Sequence, residues 1–262
     1  MLFFPPFLGG VIRSPGALID GLLPVLSFCL ASSATYVLND ICDRQNDAHH
    51  HVKKLRPIPS GRMSLPAACF LAVSLLALSL LAAAKVSGLF LGLLLLYLVV
   101  SACYSLRLKE VPIVDLFCIS SGFLLRLQAG GEAFHVAISE WLFLSVFLLS
   151  LFLSAGKRLH ECITMGEAAF SHRKSLSTYP AGYLDGALYL LGAAVLVTYT
   201  MYTMPRYPLV YTVPLCTFGL LRYILRVKSG LGGDPTESLL HDLPLLATSL
   251  IWSVMVGWSV YR

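Results

Sequence analysis

The chain has 262 residues, of which 57% are hydrophobic and only 13% are charged, and its formal net charge is +5. Soluble domains carry about 25% charged residues, so a chain this apolar could not cover its own surface in water. The composition therefore excludes an ordinary soluble domain, and the modest positive charge gives no reason to expect a nucleic-acid partner.

Apolar segments of about 20 residues recur along the chain, the length of a helix that crosses about 30 Å of hydrocarbon. Strand-type alternation is absent, so we expect an all-α integral membrane protein that forms one domain over residues 1–262. Nine spans are predicted, and the first is too short to cross a bilayer. In chain order they are residues 2–12, 18–38, 65–84, 89–106, 113–129, 138–155, 184–203, 209–224 and 243–261.

Lys and Arg residues are concentrated in alternate loops, namely those between spans two and three, four and five, six and seven, and eight and nine. The opposite loops contain only Arg13, Lys85 and Arg206. Cytoplasmic loops carry an excess of Lys and Arg. We therefore predict a multi-pass protein of the cell membrane whose four basic loops, and whose active site, face the cytoplasm.

An acidic motif follows the second span, where Asn39 and Asp40 are followed by Asp43 and Asp47. If the helix continues through this motif, the spacing of three and four residues places the three carboxylates on one face. Carboxylates around an open site suit Mg²⁺, which usually also takes phosphate oxygens from a substrate. The motif thus predicts a metal site formed by the three aspartates; the alternative is a solvated acidic turn that caps a membrane helix.

A basic segment follows at once and contains His50, Lys53 and Arg56. Cations beside a metal–carboxylate site suit a substrate with several negative charges. We predict a hydrogen-bonding role for His50, with its two histidine neighbours exposed. The alternatives are the ordinary excess of cations in a cytoplasmic loop and, for the histidines, a metal-binding tract.

Further polar residues are predicted to lie on the same side of the membrane, in the later basic loops. Arg126 differs because it lies within a span, where an unpaired cation is expensive, so we expect it to face the interior of the bundle or to pair with Asp115. The glycine-rich run 228–235 lacks the Gly-Lys-Ser/Thr of a P-loop and is predicted to be a flexible connection capped by Asp234. The candidate phosphate-binding or substrate-binding residues are Tyr104, Lys109, Arg126, Lys157, Arg158 and Glu161.

These motifs resemble those of the UbiA superfamily of membrane prenyltransferases, whose first aspartate-rich motif N-D-x-x-D-x-x-x-D matches residues 39–47. The likeness is greatest to the decaprenyl-phosphate phosphoribosyltransferase branch, and it runs from about residue 32 to the C-terminus. Two departures stand out: His51 replaces a proline, and the branch's opening segment R-P-x-x-W-x-K-N is absent. The matching features are the basic segment with Lys53, Tyr104-Ser105, Leu108-Lys109, Gly122-Phe123 with Arg126, Gly156-Lys157-Arg158 with Glu161, and Gly232-Gly233-Asp234-Pro235 with Asp242.

The resemblance implies a UbiA-type bundle of about nine helices with a central cavity, Mg²⁺ and a lipid substrate. For this branch it also implies transfer of 5-phosphoribose from phosphoribosyl diphosphate to a polyprenyl phosphate, which supplies precursors for envelope arabinan. In this reading Asp40, Asp43 and Asp47 hold the metal, assisted by Asn39, and Lys53 stabilises the departing diphosphate. A homo-oligomer is compatible with these expectations.

The charge pattern between spans six and seven distinguishes this reading from its rivals. A UbiA enzyme that prenylates an aromatic ring brings a second aspartate-rich motif there, whereas this chain carries cations. More cations and fewer carboxylates favour a substrate pair with several phosphates. An aromatic prenyltransferase remains the alternative enzyme, and a transporter or membrane scaffold is the alternative without enzymatic activity, although no internal repeat supports a transporter.

Overall fold

The computed structural model describes residues 1–48, 53–166 and 174–262, apart from the side chains of Asn46, Lys53, Met165 and Lys174. Within these residues the chain is helical and contains no β-strand. The helices are α1 Phe4–Leu8, α2 Ala17–Cys42, α3 Arg44–Ala48, α4 Leu65–Ala84, α5 Gly88–Leu106, α6 Val114–Ala133, α7 Glu140–Met165, α8 Lys174–Ser177, α9 Tyr183–Thr203, α10 Val213–Lys228, α11 Pro235–His241 and α12 Leu243–Tyr261.

Seven of the described helices are long and apolar enough to cross a membrane, which confirms a multi-pass protein but not the count of nine. These seven are α2, α4, α5, α7, α9, α10 with the turn before it, and α12. The first predicted segment, residues 2–12, was expected to be too short to cross a bilayer, and it contains only the five-residue α1 and the start of a 3-10 turn. Helix α6 has 20 residues but carries Asp115, Arg126 and Glu132, which lower its hydropathy.

Polar caps explain where several of the membrane helices begin. The Ser64 side chain accepts a hydrogen bond from the Ala67 amide at the start of α4, and Ser87 and Ser139 cap α5 and α7 in the same way. Each cap satisfies one of the amide groups that a helix start leaves without a partner. Each of these three membrane helices therefore begins at a residue that its serine cap defines.

The chain divides into two compact units, and a single domain over residues 1–262 stays a prediction. The first unit comprises residues 1–6, 11–109 and 125–137. Helices α2, α4 and α5 pack together in it around Phe28, Phe90 and Leu94. Ser27 and Ser79 join α2 to α4 by two reciprocal hydrogen bonds, since each hydroxyl donates to the other residue's carbonyl at 3.1 and 2.8 Å.

The second unit comprises residues 7–10, 110–124 and 138–262. Its core lies between α7, α9 and α10, around Phe152, Leu188 and Tyr223. Gly156 of α7 faces the Tyr223 ring, and a Cβ at this glycine would lie 2.6 Å from a ring carbon. The absence of a side chain therefore lets α10 approach α7 at the level of Lys157 and Arg158.

Candidate active site

The acidic motif lies at a break between two helices of the first unit. Helix α2 ends at Cys42, and Asp43 leaves the helical conformation with a ψ of 1°. A new short helix begins at Arg44, and the Asp47 amide donates to the Asp43 carbonyl at 2.8 Å. The expectation of one continuous helix through the three aspartates is therefore wrong, because the backbone turns at the middle aspartate.

Two of the three carboxylates converge on one guanidinium nitrogen. Arg56 donates from Nη1 to Asp40 Oδ1 at 2.7 Å and to Asp47 Oδ2 at 2.9 Å. The Asp47 side chain is only 4% exposed, whereas the Arg56 side chain is 39% exposed. The predicted substrate cation thus lies against the predicted metal ligands and remains accessible.

The third carboxylate has a cation of its own. Lys109 follows α5 in a short 3-10 turn, and its ammonium group donates to Asp43 Oδ1. Both side chains are about one-fifth exposed. The structure therefore brings together five of the residues predicted from the motifs, as two adjacent groups of carboxylates and cations.

The fit of this donor set to a metal ion follows from its geometry. Asp40 and Asp47 already share one positively charged nitrogen. Within residues 1–48, 53–166 and 174–262, no group of three or more His, Cys, Asp or Glu side chains is placed to hold a metal ion. The donors therefore fit Mg²⁺ that takes some of its ligands from these carboxylates and the others from substrate oxygens, and they do not form a cage made of protein alone.

The remaining predicted residues of the first unit do not belong to these two groups of carboxylates and cations. Asn39 and Tyr104 are half-buried on α2 and α5. His50 lies outside the described residues, and so does the side chain of Lys53. Arg126 does not pair with Asp115; it donates from Nη2 to Tyr97 Oη at 2.7 Å and to Ser32 Oγ at 3.1 Å.

The second unit contains the other predicted cations, and two of its carboxylates surround one of them. Arg158 of α7 donates from Nε to Asp115 Oδ2 at 2.9 Å, and from Nη1 to both oxygens of Glu161 at 2.8 and 2.9 Å. Its side chain is only 3% exposed, and that of Asp115 is fully buried. Arg158 is therefore part of a buried ion-pair network.

Lys157, the residue before it, is 45% exposed and lies 3.1 Å from Asp234 Oδ2. Asp234 also caps α11, because its Oδ1 accepts from the amides of Thr236 and Glu237. Partial burial opposes ionisation of Asp234, but the hydrogen bonds from Lys157 and Glu237 hold its pKa below the usual value. The prediction of a cap at Asp234 is confirmed, and its second oxygen faces an accessible cation.

The glycine-rich run before Asp234 is held in place, contrary to the expectation of a flexible connection. Tyr223 donates from its hydroxyl to the Gly233 carbonyl at 2.9 Å, and Arg226 donates to the Leu231 carbonyl at 2.9 Å. A Cβ on Gly233 would overlap the side chain of His160. The glycine is present because α7 lies too close for a side chain.

Sequence reasoning missed a second ion-pair network. Asp242 caps α12 and accepts from Arg222 Nη2 and Arg226 Nη1, both at 2.9 Å. The hydrogen bond from Arg222 is the main reason that the pKa of Asp242 lies well below its usual value, against the effect of burial. An aspartate directly before an apolar run was the available signal for the cap, but no local pattern indicates its contacts with the two arginines.

Comparison with known proteins agrees with this architecture. The sequence profile of the UbiA prenyltransferase family matches residues 3–250. A decaprenyl-phosphate phosphoribosyltransferase of Corynebacterium glutamicum is 32% identical over 256 residues, which cover 93% of this chain and 76% of that protein. The protein of the same name from Mycobacterium tuberculosis strain H37Rv is 33% identical over 239 residues, which cover 89% and 79%.

A solved structure shows the same fold. The UbiA homolog from Archaeoglobus fulgidus bound to GPP and Mg²⁺ superposes with a TM-score of 0.75 at 21% identity, covering 99% of this chain and 94% of that one. This likeness confirms the predicted UbiA-type fold, and the relatives confirm the predicted class of enzyme. This multi-pass membrane protein is a transferase and belongs to the UbiA prenyltransferase family.

Proposed function

We propose that this protein transfers 5-phosphoribose from phosphoribosyl diphosphate to a polyprenyl phosphate and releases diphosphate. Relatives that bear the name decaprenyl-phosphate phosphoribosyltransferase cover about nine-tenths of the chain and support this assignment. The structural observation that carries it is the pairing of Asp40 and Asp47 with Arg56, and of Asp43 with Lys109. Carboxylates and cations so arranged suit a ligand that combines a metal ion with phosphates.

The carboxylates bind the donor. Asp40, Asp43 and Asp47 would hold Mg²⁺ on the diphosphate, with the Asn39 amide as an additional ligand or hydrogen-bond donor. The ion would supply neutralisation of the charge that develops on the leaving diphosphate. Arg56 and Lys109 lie beside these carboxylates and would contact the phosphate oxygens, and we assign the same role to Lys53 and a hydrogen bond to His50.

The transfer itself needs few protein groups. The bond between ribose C1 and the diphosphate oxygen breaks, and both of its electrons leave with the diphosphate. An oxygen of the polyprenyl phosphate attacks C1 from the opposite face and forms the new bond. This oxygen is already anionic near neutral pH, so no general base is required. The protein contributes position and electrostatic stabilisation, which are the main sources of catalysis in such reactions.

Of the candidates in the second unit, Lys157 is the one suited to touch a substrate phosphate, because its ammonium is accessible and its partner Asp234 is 42% exposed. The buried Arg158 pairs with the partly exposed Glu161, and the two would position the end of α7. Tyr104, half-buried near the end of α5, stays a candidate for substrate contact. We place these residues on the cytoplasmic side of the cell membrane, in agreement with the distribution of Lys and Arg.

The test is product formation by purified protein in detergent, supplied with Mg²⁺, polyprenyl phosphate and phosphoribosyl diphosphate that carries label in its ribose. We expect label in the lipid phase and stoichiometric release of diphosphate. A parallel reaction with GPP and an aromatic acceptor tests the alternative enzyme. Prenylation in the second reaction without ribosyl transfer in the first would reject the proposed function in favour of aromatic prenylation.

A further inference from the structure

Arg126 is a cation that the donor site leaves unused. Its Nη2 contacts the hydroxyls of Ser32 and Tyr97, and its guanidinium carbon lies 4.6 Å from the centre of the Tyr97 ring. All of these partners are neutral. Among the side chains that the structure describes, no carboxylate forms an ion pair with Arg126.

The position of Arg126 makes this lack of a counter-charge costly. Ser32 lies inside α2, ten residues before its end at Cys42, so the guanidinium is held at the depth of a membrane span. A charged side chain within the hydrocarbon costs about 2.5–3.5 kcal/mol on insertion scales, and such residues usually mark a functional site. An anion from outside the protein would remove this cost.

The first unit has a cavity where such an anion can lie. It has a volume of about 420 Å³, and Arg126 lines it together with one face of α2 that includes Cys29, Ser32 and Tyr36. The spacing of three and four residues places these α2 side chains in a row. Leu2 and Phe28 add apolar surface to the same cavity. A cavity of this size accommodates a small head group and the first part of an apolar chain.

The cavity is also deeper in the membrane than the donor site. Ser32 precedes Asp40 by eight residues, which is about 12 Å along an α-helix. A diphosphate and a ribose held at the carboxylates can fill this interval, so that an anion near Arg126 lies beyond the ribose. This is the side from which an attacking group must approach when the diphosphate leaves toward the carboxylates.

We infer that Arg126, Tyr97 and Ser32 bind the phosphate head group of the lipid acceptor, whose apolar chain enters the cavity from the bilayer. The inference rests on the proposed function for the identity of the acceptor. A soluble phosphate is the other source of the same chemistry. The lipid is favoured because the site is at membrane depth and has apolar walls, whereas the donor already has the carboxylates and their cations.

The experiment measures binding without turnover, in protein reconstituted in nanodiscs and without phosphoribosyl diphosphate. Labelled polyprenyl phosphate is displaced by unlabelled polyprenyl phosphate, by polyprenol or by ribose 5-phosphate. We expect polyprenyl phosphate to compete much better than the other two. Arg126→Gln should weaken polyprenyl phosphate binding by about 10- to 150-fold, the loss expected for a charge-assisted hydrogen bond, and should leave polyprenol binding unchanged.

Two further variants keep the test valid if Arg126→Gln folds poorly. Tyr97→Phe keeps the ring under the guanidinium and removes only the hydroxyl, so we expect a loss of about 2- to 12-fold. In a chain that retains only Cys29, polyprenyl phosphate should slow the reaction of this thiol with N-ethylmaleimide. Arg206→Gln is the control, because this exposed arginine belongs to the second unit and contacts Tyr202.

Undiminished preference for the phosphorylated lipid in Arg126→Gln and Tyr97→Phe would overturn the inference, and so would equal competition by ribose 5-phosphate. Failure of the proposed function looks different. In that case no ribosyl transfer is detected, while the preference for polyprenyl phosphate over polyprenol still depends on Arg126.

Discussion

Lys157 and Arg158 are adjacent in the chain, yet their surroundings differ. Arg158 lies in a buried network with Asp115 and Glu161, whereas Lys157 is accessible and has one partly exposed partner. From the sequence, both cations are predicted to bind phosphate, because they are neighbours in a basic segment. The structure separates them, since only a side chain that reaches solvent can exchange its partner for a substrate.

The two cations should therefore respond differently to neutralisation. Arg158→Gln should lower the stability of the purified protein by about 3–5 kcal/mol, because it removes the cation that faces the buried carboxylate of Asp115. Lys157→Gln should change stability by less than about 1 kcal/mol, since exposed pairs contribute little. It should instead raise the KM for a phosphorylated substrate by about 10- to 150-fold. Thermal unfolding and ribosyl-transfer kinetics in one detergent measure both effects, and equal losses of stability would contradict this division of roles.

The acidic motif gives the second prediction at this scale. Asp40→Asn and Asp43→Asn should each lower turnover by about 100-fold or more, the loss expected when a positioned electrostatic group is removed. The fold should persist, because an amide still accepts a hydrogen bond from Arg56 or Lys109. Asp20→Asn is the matched control, because Asp20 is exposed in the first turn of the same helix. Full activity of both variants in the presence of a magnesium chelator would contradict a metal role.

Hydropathy predicts the presence of a membrane helix better than it predicts the residues at which the helix begins and ends. Helix α4 spans residues 65–84 as predicted, because Ser64 caps its start where the apolar run begins. Helix α7 was expected to end at residue 155, but it continues to Met165 through Lys157 and Arg158. A helix ends where its backbone hydrogen bonds end, and a buried ion pair lets polar residues continue it. Asp115 and Arg158 are 43 residues apart, so no local pattern reveals their contact.

Helix α12 offers a test of one cap and its ion pairs. Asp242→Asn keeps a good N-cap but removes the charge that faces Arg222 and Arg226, whereas Asp242→Ala removes the cap as well, at a further cost of about 0.5–2 kcal/mol. Thermal stability should therefore fall in the order wild type, Asn, Ala. The change from wild type to Asp242→Asn should cost more stability than the change from Asn to Ala, because it leaves the nearly buried Arg226 without its counter-charge.

The lowered pKa of Asp242 also predicts how the stability of the folded protein depends on pH. A carboxyl whose folded pKa is depressed contributes stability that is fully present above its ordinary pKa of 3.8. This contribution is lost as the pH falls from there through the lowered pKa. The wild type should thus lose stability below about pH 4 more steeply than Asp242→Asn. Parallel unfolding curves for the two proteins between pH 5 and the acid limit would contradict the assignment.

For the whole molecule, the class of fold could be predicted from composition and the recurrence of apolar runs. The number of spans could not, because α6 carries Asp115, Arg126 and Glu132, which have polar partners outside this helix, and a hydropathy average counts them as polar. The division into two compact units was not predicted either. The unit to which a helix belongs depends on the helices against which it packs. Membrane helices of similar composition carry no sequence signal that shows which of them pack together.

Orientation in the membrane is the prediction at this scale. A cysteine at Ser60, an exposed residue in the basic loop before α4, should resist impermeant thiol reagents in intact cells. A cysteine at Lys85, which is exposed between α4 and α5, should react from outside. Both are placed in a chain without its seven native cysteines. Labelling at position 60 together with protection at position 85 would show that the protein has the opposite orientation to the predicted one.

Under the proposed function, the pairing of Arg56 and Lys109 with the three aspartates means that a donor phosphate must exchange these internal ion pairs for contacts with itself. Among the described side chains of this cluster, three negative charges face two positive ones, so the site is close to neutral before any ligand arrives. Each contact with a phosphate then replaces an internal contact and does not simply add to it. The affinity lost in an Arg56 variant will accordingly report the difference between two partners, and it will understate the strength of either.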